Sequence, residues 1–445
     1  MRARAAPVLL LAAVLAGPAA ADTAFLNVNV LTMRSPEVLT GQTVLVSDGR
    51  IARIGPVESV PIPDGAQVID GTDRWLMPGL AELHAHVPPA DSPDLERVLA
   101  LYVANGVTMV RGMLGQPSHL ELRRALEAGD VLGPRLFTSG PSFSGQSVAG
   151  VEDAIGRVRA QSDAGYDFLK IHPGLSRAEF AAVARTAGEL GMRFAGHVPV
   201  EVGLHAALEA GMASIDHLDG YLQALVPPHV DPSGGYGGFF GVLLAGEADA
   251  ASIGPLAERT AAAGVWVVPT QTLFEHATAA VDPEAMAAWP EMRYMPAATV
   301  AQWVEAKRRI AGERGFDPAL AARAIELRRR LILALHEAGA GLLLGSDSPQ
   351  VFNVPGFSLH RELALLVAAG LTPHAALETG TANAAAFFGL ADAGAVAPGF
   401  VADLVLLDDD PLADIGNTRR VHGVMLRGRW LSREDLDALL APFAR

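Results

Sequence analysis

Eight short apolar runs punctuate the middle of the chain, each followed by a stretch of helical character. They are Gly79 to His84, Val107 to Arg111, Pro134 to Ser139, Phe168 to His172, Arg193 to His197, Ser214 to His217, Val265 to Pro269 and Gly341 to Ser346. Runs this short, separated by helix-length segments, read as strands buried on both faces, the texture of a parallel α/β fold. Eight of them predict an α/β architecture of the TIM type, a (β/α)8 barrel. Helix signals fall in the gaps. Ser176-Arg177-Ala178-Glu179 is a capping box for a helix running to about Leu190, and Thr372-Pro373 sets a capping side chain before a first-turn proline.

The two ends have a different texture. Phe25 to Ile54 alternates apolar and polar residues and contains Asp48-Gly49, a hairpin signal. Ala402 to Leu407 and Val421 to Arg429 read as further strands. Short β segments flanking a large middle are simplest as one small composite domain, a β-sandwich built from both ends. The expected organisation is a signal peptide over 1–21, a composite β domain from 22–76 plus 392–434, a barrel over 77–391 and a C-terminal helix or tail over 435–445. Two stretches break the barrel's rhythm. Tyr221 to Ala251, with Pro227-Pro228 and a glycine-rich run to Phe239-Phe240, reads as a lid or substrate loop; Asp282 to Asp317 reads as a mostly helical insertion.

Composition narrows the chemistry. With 445 residues, 50% hydrophobic and 19% charged, the chain can bury a large core. It has no cysteine, so a disulfide framework and a thiolate metal site are both excluded. A formal net charge of −15 and the lack of a basic stripe argue against nucleic acid as a partner. Arg2 and Arg4, the apolar run Pro7 to Ala16 and Ala19-Ala20-Ala21 form a secretory signal pattern with cleavage before Asp22. The expectation is an exported protein, periplasmic or secreted, with no membrane contact after cleavage.

In a barrel of this type, function sits at the C-terminal ends of the strands. Those ends carry His84 and His86 on the first strand, Lys170 on the fourth, His197 on the fifth, His217 on the sixth and Asp347 after the eighth. Period-two geometry turns His84 and His86 to one side, where two imidazoles can grip a borderline-soft cation such as zinc. Four imidazoles and a carboxylate suit a hydrolytic divalent-metal site. By the same alternation His172 shares a face with Lys170, and Asp216, next to His217, is expected to point away from the site.

At these residues the chain resembles the amidohydrolase superfamily, in the branch related to imidazolonepropionase and metal-dependent Xaa-Pro dipeptidases. The matching motifs are Met77-Pro78-Gly79-Leu80 leading to His84-Ala85-His86, Asp167-Phe168-Leu169-Lys170-Ile171, the two histidine strand ends, Gly345-Ser346-Asp347, and a tail that includes Pro398-Gly399-Phe400-Val401-Ala402-Asp403. The resemblance implies two divalent metals, most simply zinc. His84, His86 and Asp347 would hold one and His197 and His217 the other, with N6-carboxylated Lys170 as the bridge. It further implies a shared hydroxide nucleophile and Asp347 as proton shuttle. Tyr221 stands where relatives touch the substrate carbonyl, and Arg111 ends the second strand where it could meet a substrate carboxylate. Arg111 is followed by Gly112 rather than the aspartate of relatives, and Ser142-Phe143-Ser144-Gly145-Gln146 replaces a histidine-bearing loop. The expected reaction is hydrolysis of the C–N bond of an N-acyl amino acid, short peptide or related amide; the alternative is a lactone or organophosphate ester hydrolase using the same site. Relatives are often homo-oligomers, and a small molecule is the expected partner.

Overall fold

The computed structural model describes residues 22–227 and 237–445. The signal pattern and Tyr236 lie outside the described residues.

The two chain ends meet in one sheet. Its strands are β1 (Thr23–Leu31), β2 (Val38–Ser47), β3 (Arg50–Pro56), β4 (Gln67–Asp70) and β5 (Trp75–Pro78) from the front, and β13 (Leu404–Leu407), β14 (Val421–Leu426) and β15 (Arg429–Ser432) from the back. The order is β15-β14-β13-β5-β1-β2-β3, with β4 branching from β1. Asp48 and Gly49 both adopt positive φ, 50° and 74°, giving the two-residue turn whose twist matches that of β2 and β3. The ends are joined where β5 runs antiparallel to β13, Trp75 opposite Leu407 and Pro78 opposite Leu404. Phe25, Val30, Val44, Leu76, Leu404 and Met425 bury together on this sheet. The expected sandwich is thus a single hydrogen-bonded sheet rather than two separate ladders.

The middle is mixed α/β. β6 (Leu80–Ala85), β7 (Val107–Gly112) and β8 (Arg135–Thr138) form one parallel group, and β9 (Leu169–Ile171), β10 (Phe194–Gly196), β11 (Ser214–Asp216) and β12 (Trp266–Val268) form a second. Single parallel bridges Ser139–Phe168, Val267–Leu342 and Ala85–Ser348 lie between them. Seven of the eight expected runs contain a strand; Gly341 to Ser346 forms no ladder. It is tied to its neighbours by isolated bonds: Leu343 N–H donates to the Val267 carbonyl, and the Gly341 and Leu344 carbonyls accept from Val267 and Leu83, while Leu344 N–H goes to the Thr379 carbonyl and Ser346 N–H to the Glu82 carboxylate. Helices fill the gaps, among them Arg177–Leu190 behind the Ser176/Glu179 capping box and Pro373–Thr379 behind the Thr372 cap, both as expected. No helix of the described residues is long and apolar enough to cross a membrane.

Candidate metal centre

The six side chains from the strand ends form one contiguous cluster. Asp347 is its hub. Its Oδ1 lies 3.0 Å from His86 Nε2 and 3.5 Å from His84 Nε2, and its Oδ2 lies 3.7 Å from His217 Nδ1. Lys170 Nζ is 3.5 Å from His84 Nε2. The His217 ring sits 4.4 Å from that of His84 and 4.6 Å from that of His197, centre to centre. Donor atoms of His84, His86 and Asp347 all fall within 4.8 Å of one another. His197 and His217 adjoin this trio without belonging to it.

Glycine lets these groups meet. A Cβ on Gly345 would stand 2.5 Å from a Val268 methyl and 3.0 Å from His84 N, and one on Gly196 would meet the Ile171 carbonyl at 2.4 Å. Three residues of the site, His217, Thr270 and Asp347, have positive φ of 65°, 44° and 61°. Such backbone costs on the order of 1–3 kcal/mol each in a non-glycine residue and clusters where function needs a particular side-chain direction.

The electrostatics suit a cation. Burial, aided by Lys170 and the neighbouring imidazoles, holds His84 well below its ordinary value and His86 at about 3; burial and the imidazoles do the same to His217. The three are therefore neutral at physiological pH, the form that ligates metal. Burial lowers Lys170 to about 8, against the pull of Asp216 and Asp347, so a neutral amine is within reach. Burial pushes Asp347 up to about 7, and a cation at this place would reverse that. Asp347 Oδ1 is buried without a hydrogen-bond donor, an orphan that a metal would satisfy. Orphaned oxygen, neutral imidazoles and an all-N/O donor set fit a borderline divalent ion.

A second ring of residues aims the first. Asp216 does not point away as expected. Asp216 shares a face of β11 with Ser214, as alternation requires, and it is His217, at positive φ, that departs from alternation and joins the cluster as well. Asp216 Oδ2 lies 2.9 Å from His84 Nδ1, off ideal hydrogen-bond alignment, while the carboxylate accepts from Arg111 Nη2 at 3.1 and 3.3 Å and from the Ser214 hydroxyl at 2.8 Å. Asp219 stands 3.1 Å from His197 Nδ1, and Thr270 Oγ1 stands 2.9 Å from His217 Nδ1. Glu82 accepts from the backbone N–H of His84 and of Ser346, tying the first strand to the Asp347 turn. Alternation along Glu82, His84 and His86 carried that signal in the sequence; Asp219 and Thr270 had none.

Two expected substrate contacts are corrected. Arg111 is fully buried; besides Asp216 it serves Ser214 Oγ and the Leu83 carbonyl and lies between the rings of Phe168 and Phe387. A guanidinium so enclosed has nothing left for a substrate carboxylate. Tyr221 is also fully buried, its hydroxyl paired with Thr260 Oγ1 at 3.0 Å on the helix Ile253–Ala262, so it packs that helix rather than facing the cluster. Of the expected lid, Phe240 is half-buried and stacks on His217 at 4.9 Å and 23° and on His197 at 6.0 Å and 13°. His172 lies 5.2 Å from His197, ring to ring, with Nδ1 held 2.8 Å from Ser142 Oγ.

Known proteins resemble the chain over most of its length. Residues 75–431 match the model of the amidohydrolase family. A bottromycin amidohydrolase structure has a TM-score of 0.72 at 27% identity, covering 95% of this chain and 90% of that one. A Xaa-Pro dipeptidase with methionine in its active site has a TM-score of 0.67 at 18% identity, over 93% of this chain and 100% of that one, a likeness of fold alone. Among curated proteins, the adenine deaminase of Paracoccus denitrificans (strain Pd 1222) is 38% identical over 74 residues, 17% of this chain and only 12% of its own length. Adenine deaminase 3 of Rhizobium meliloti (strain 1021) is 23% identical over 424 residues, 94% of this chain and 58% of that protein.

Proposed function

Since the chain belongs to the amidohydrolase family, we propose that it is a binuclear metal-dependent hydrolase that cleaves the C–N bond of an amide. One observation carries the reading: Asp347 contacts His84, His86 and His217 while one of its buried oxygens lacks any donor. His84, His86 and Asp347 would hold one divalent ion, with zinc preferred for its affinity for imidazole. His197 and His217 would hold the other. Lys170, neutral through burial, would take up carbon dioxide and present a carbamate between them. Two such ions would bring a water's pKa down to about 7 and polarise the scissile carbonyl.

The chain's own residues do the rest. Asp216, 2.9 Å from His84 Nδ1, would favour the tautomer with its proton on Nδ1 and so leave Nε2 as the donor; Asp219 and Thr270, against Nδ1 of His197 and of His217, would do the same there. Asp347 takes the proton from the attacking water and delivers it to the departing amine. The parallel groups β6–β8 and β9–β12, with Gly341 to Ser346 between their outer edges, would close as the barrel that puts all these ends on one face. Residues 1–21 would direct export, which cell fractionation of the full chain checks.

The test is metal analysis together with turnover. The purified full chain should contain two divalent ions and hydrolyse members of a panel of acyl amino acids, neutral amides, lactones and phosphotriesters. Lys170→Ala should lose one ion per chain. An unchanged metal count in that variant would remove the bridge, and turnover confined to lactones or phosphotriesters would replace the amidase by the ester hydrolase.

A further inference from the structure

The loops around the cluster carry no positive charge. The segments 86–96, 112–122, 139–156, 171–176, 197–227, 237–258, 269–292 and 346–360 follow the ends of the successive strands and contain neither lysine nor arginine. Residues 228–236, which lie outside the described residues, contain neither in their sequence. The cations nearest in sequence are occupied. Arg111 is enclosed with Asp216. Arg328 donates to the carbonyls of His217 and Pro269 and to Gln271 Oε1. Arg361 pairs with Glu291 and lies over Trp289, Arg97 pairs with Asp94, and Arg293 donates to the Tyr294 hydroxyl. Arg177 donates through Nε to the Glu201 carbonyl and lines a cavity of about 440 Å³ whose wall includes none of the six cluster residues.

What the cluster does meet is apolar and hydrogen-bonding surface. Phe240 lies flat against His217 and His197, and Phe239 packs edge-on against Phe240 at 4.5 Å and on Phe274 at 6.4 Å. Phe240 and Gly241 hold φ of 47° and 81°, so the ring is kept in place by backbone that an ordinary loop would avoid. Beside His197, the imidazole of His172 is pinned by Ser142, which leaves its Nε2 free to bond an uncharged group. The acidic Glu201, Asp219, Glu247 and Asp249 lie in the same loops, in a chain of net charge −15. A carboxylate entering here finds acidic loops and no guanidinium to replace its water, and the charge of the two ions proposed above is taken up by Asp347, the Lys170 carbamate and the scissile carbonyl.

We infer that the site selects amides that are uncharged next to the scissile bond and bear an apolar or aromatic group against Phe240, rather than N-acyl amino acids or dipeptides with a free carboxylate. The inference rests on the hydrolase reading above and narrows its substrate class. The reaction balances without a co-reactant: water's oxygen bonds to the acyl carbon, the C–N bond breaks, and water's proton leaves on the amine.

A matched pair tests it. The metal-loaded full chain is given N-acetyl-phenylalanine and N-acetyl-phenylalaninamide, which differ only in the carboxylate. Turnover is measured with the parent protein, and equilibrium affinity with Asp347→Asn, so that absence of hydrolysis bears on the hydrolase reading while the affinity ratio bears on selectivity. The neutral member should be favoured by about tenfold or more in affinity, and equally in kcat/KM wherever turnover occurs, the scale expected when a polar group must be buried unpaired. Phe240→Ala should cut the preference for N-acetyl-phenylalaninamide over N-acetyl-alaninamide by about tenfold, the scale of a lost aromatic contact. Equal or tighter binding of the carboxylate member overturns the inference, as does a matching loss for that member alone in Arg177→Gln, which would expose a carboxylate clamp.

Discussion

Asp216→Asn gives the sharpest test of how the site is built. Asp216 and Arg111 are both fully buried, and the carboxylate is shared among Arg111, the Ser214 hydroxyl and His84 Nδ1, with Lys170 Nζ 4.0 Å away. Burial pushes Asp216 up, but Arg111 and then Lys170 outweigh it and hold the group below its ordinary value of 3.8. An amide of the same shape keeps the space filled and removes the charge. Arg111 is then a desolvated cation without a counter-ion, a change that costs about 3–5 kcal/mol in comparable buried pairs. His84 loses the carboxylate that stands 2.9 Å from Nδ1 and favours its tautomer, which should weaken metal binding by roughly 10–100-fold. Two assays separate these effects. Urea unfolding of the metal-free protein reads the first, and competition with a chromogenic chelator reads the second. The double variant Arg111→Met with Asp216→Leu should recover most of the stability, because no charge is left stranded, yet not the metal affinity. Because the folded pKa is depressed, the Asp216 contribution is complete above about pH 4 and is lost as pH falls through the lower folded value. A single variant that loses less than about 1 kcal/mol and keeps parental metal affinity would refute the relay from Arg111 through Asp216 to His84.

Further expectations follow from other parts of the cluster and its frame. Asp347→Asn should keep much of the bound metal while kcat falls by about 10²–10⁴, the range for a lost general base; unchanged turnover would take Asp347 out of proton transfer. Tyr221→Phe removes only the hydroxyl bonded to Thr260, so it should cost about 1 kcal/mol of stability and leave kcat/KM within about twofold. A fall beyond about tenfold would restore the substrate contact first expected of it. Glu362 caps the helix Gln271–Thr278 by accepting from the N–H of Gln271 and Thr272, and burial raises it from 4.5 to about 7. The folded chain therefore keeps a proton that the unfolded chain releases, and stability is lost as pH rises from about 4.5 to about 7, by on the order of 3 kcal/mol. Glu362→Gln should flatten that part of the stability–pH curve, and an identical slope would show that Glu362 is ionised in the fold.

Much of this protein was legible one residue at a time. Local rules suffice for the Asp48-Gly49 turn, the Ser176/Glu179 capping box and the Thr372 cap, because each depends on neighbours within a few positions. The apolar runs marked seven strands, since burial on both faces leaves a plain signature. The eighth, Gly341 to Ser346, makes only isolated bonds to Val267 and Leu83, because the donors at Leu344 and Ser346 go to Thr379 and Glu82 instead of a neighbouring strand. Four histidines, a lysine and an aspartate at strand ends were enough to name the cluster, because a parallel α/β fold brings such ends together.

Direction and accessibility were not legible in the same way. Alternation set Asp216 and His217 on opposite faces, and the left-handed backbone at His217 let both reach the cluster. Arg111 and Tyr221 stood at positions suited to substrate, and packing enclosed both, with Asp216 taking the one and Thr260 the other. The sequence by itself determined which chemical groups could gather at the strand ends, and that no cation would stand in the loops around them. Only the tertiary structure decided which groups meet in the cluster and which are consumed in holding them, because a side chain's partners depend on backbone turns and burial that no local pattern encodes.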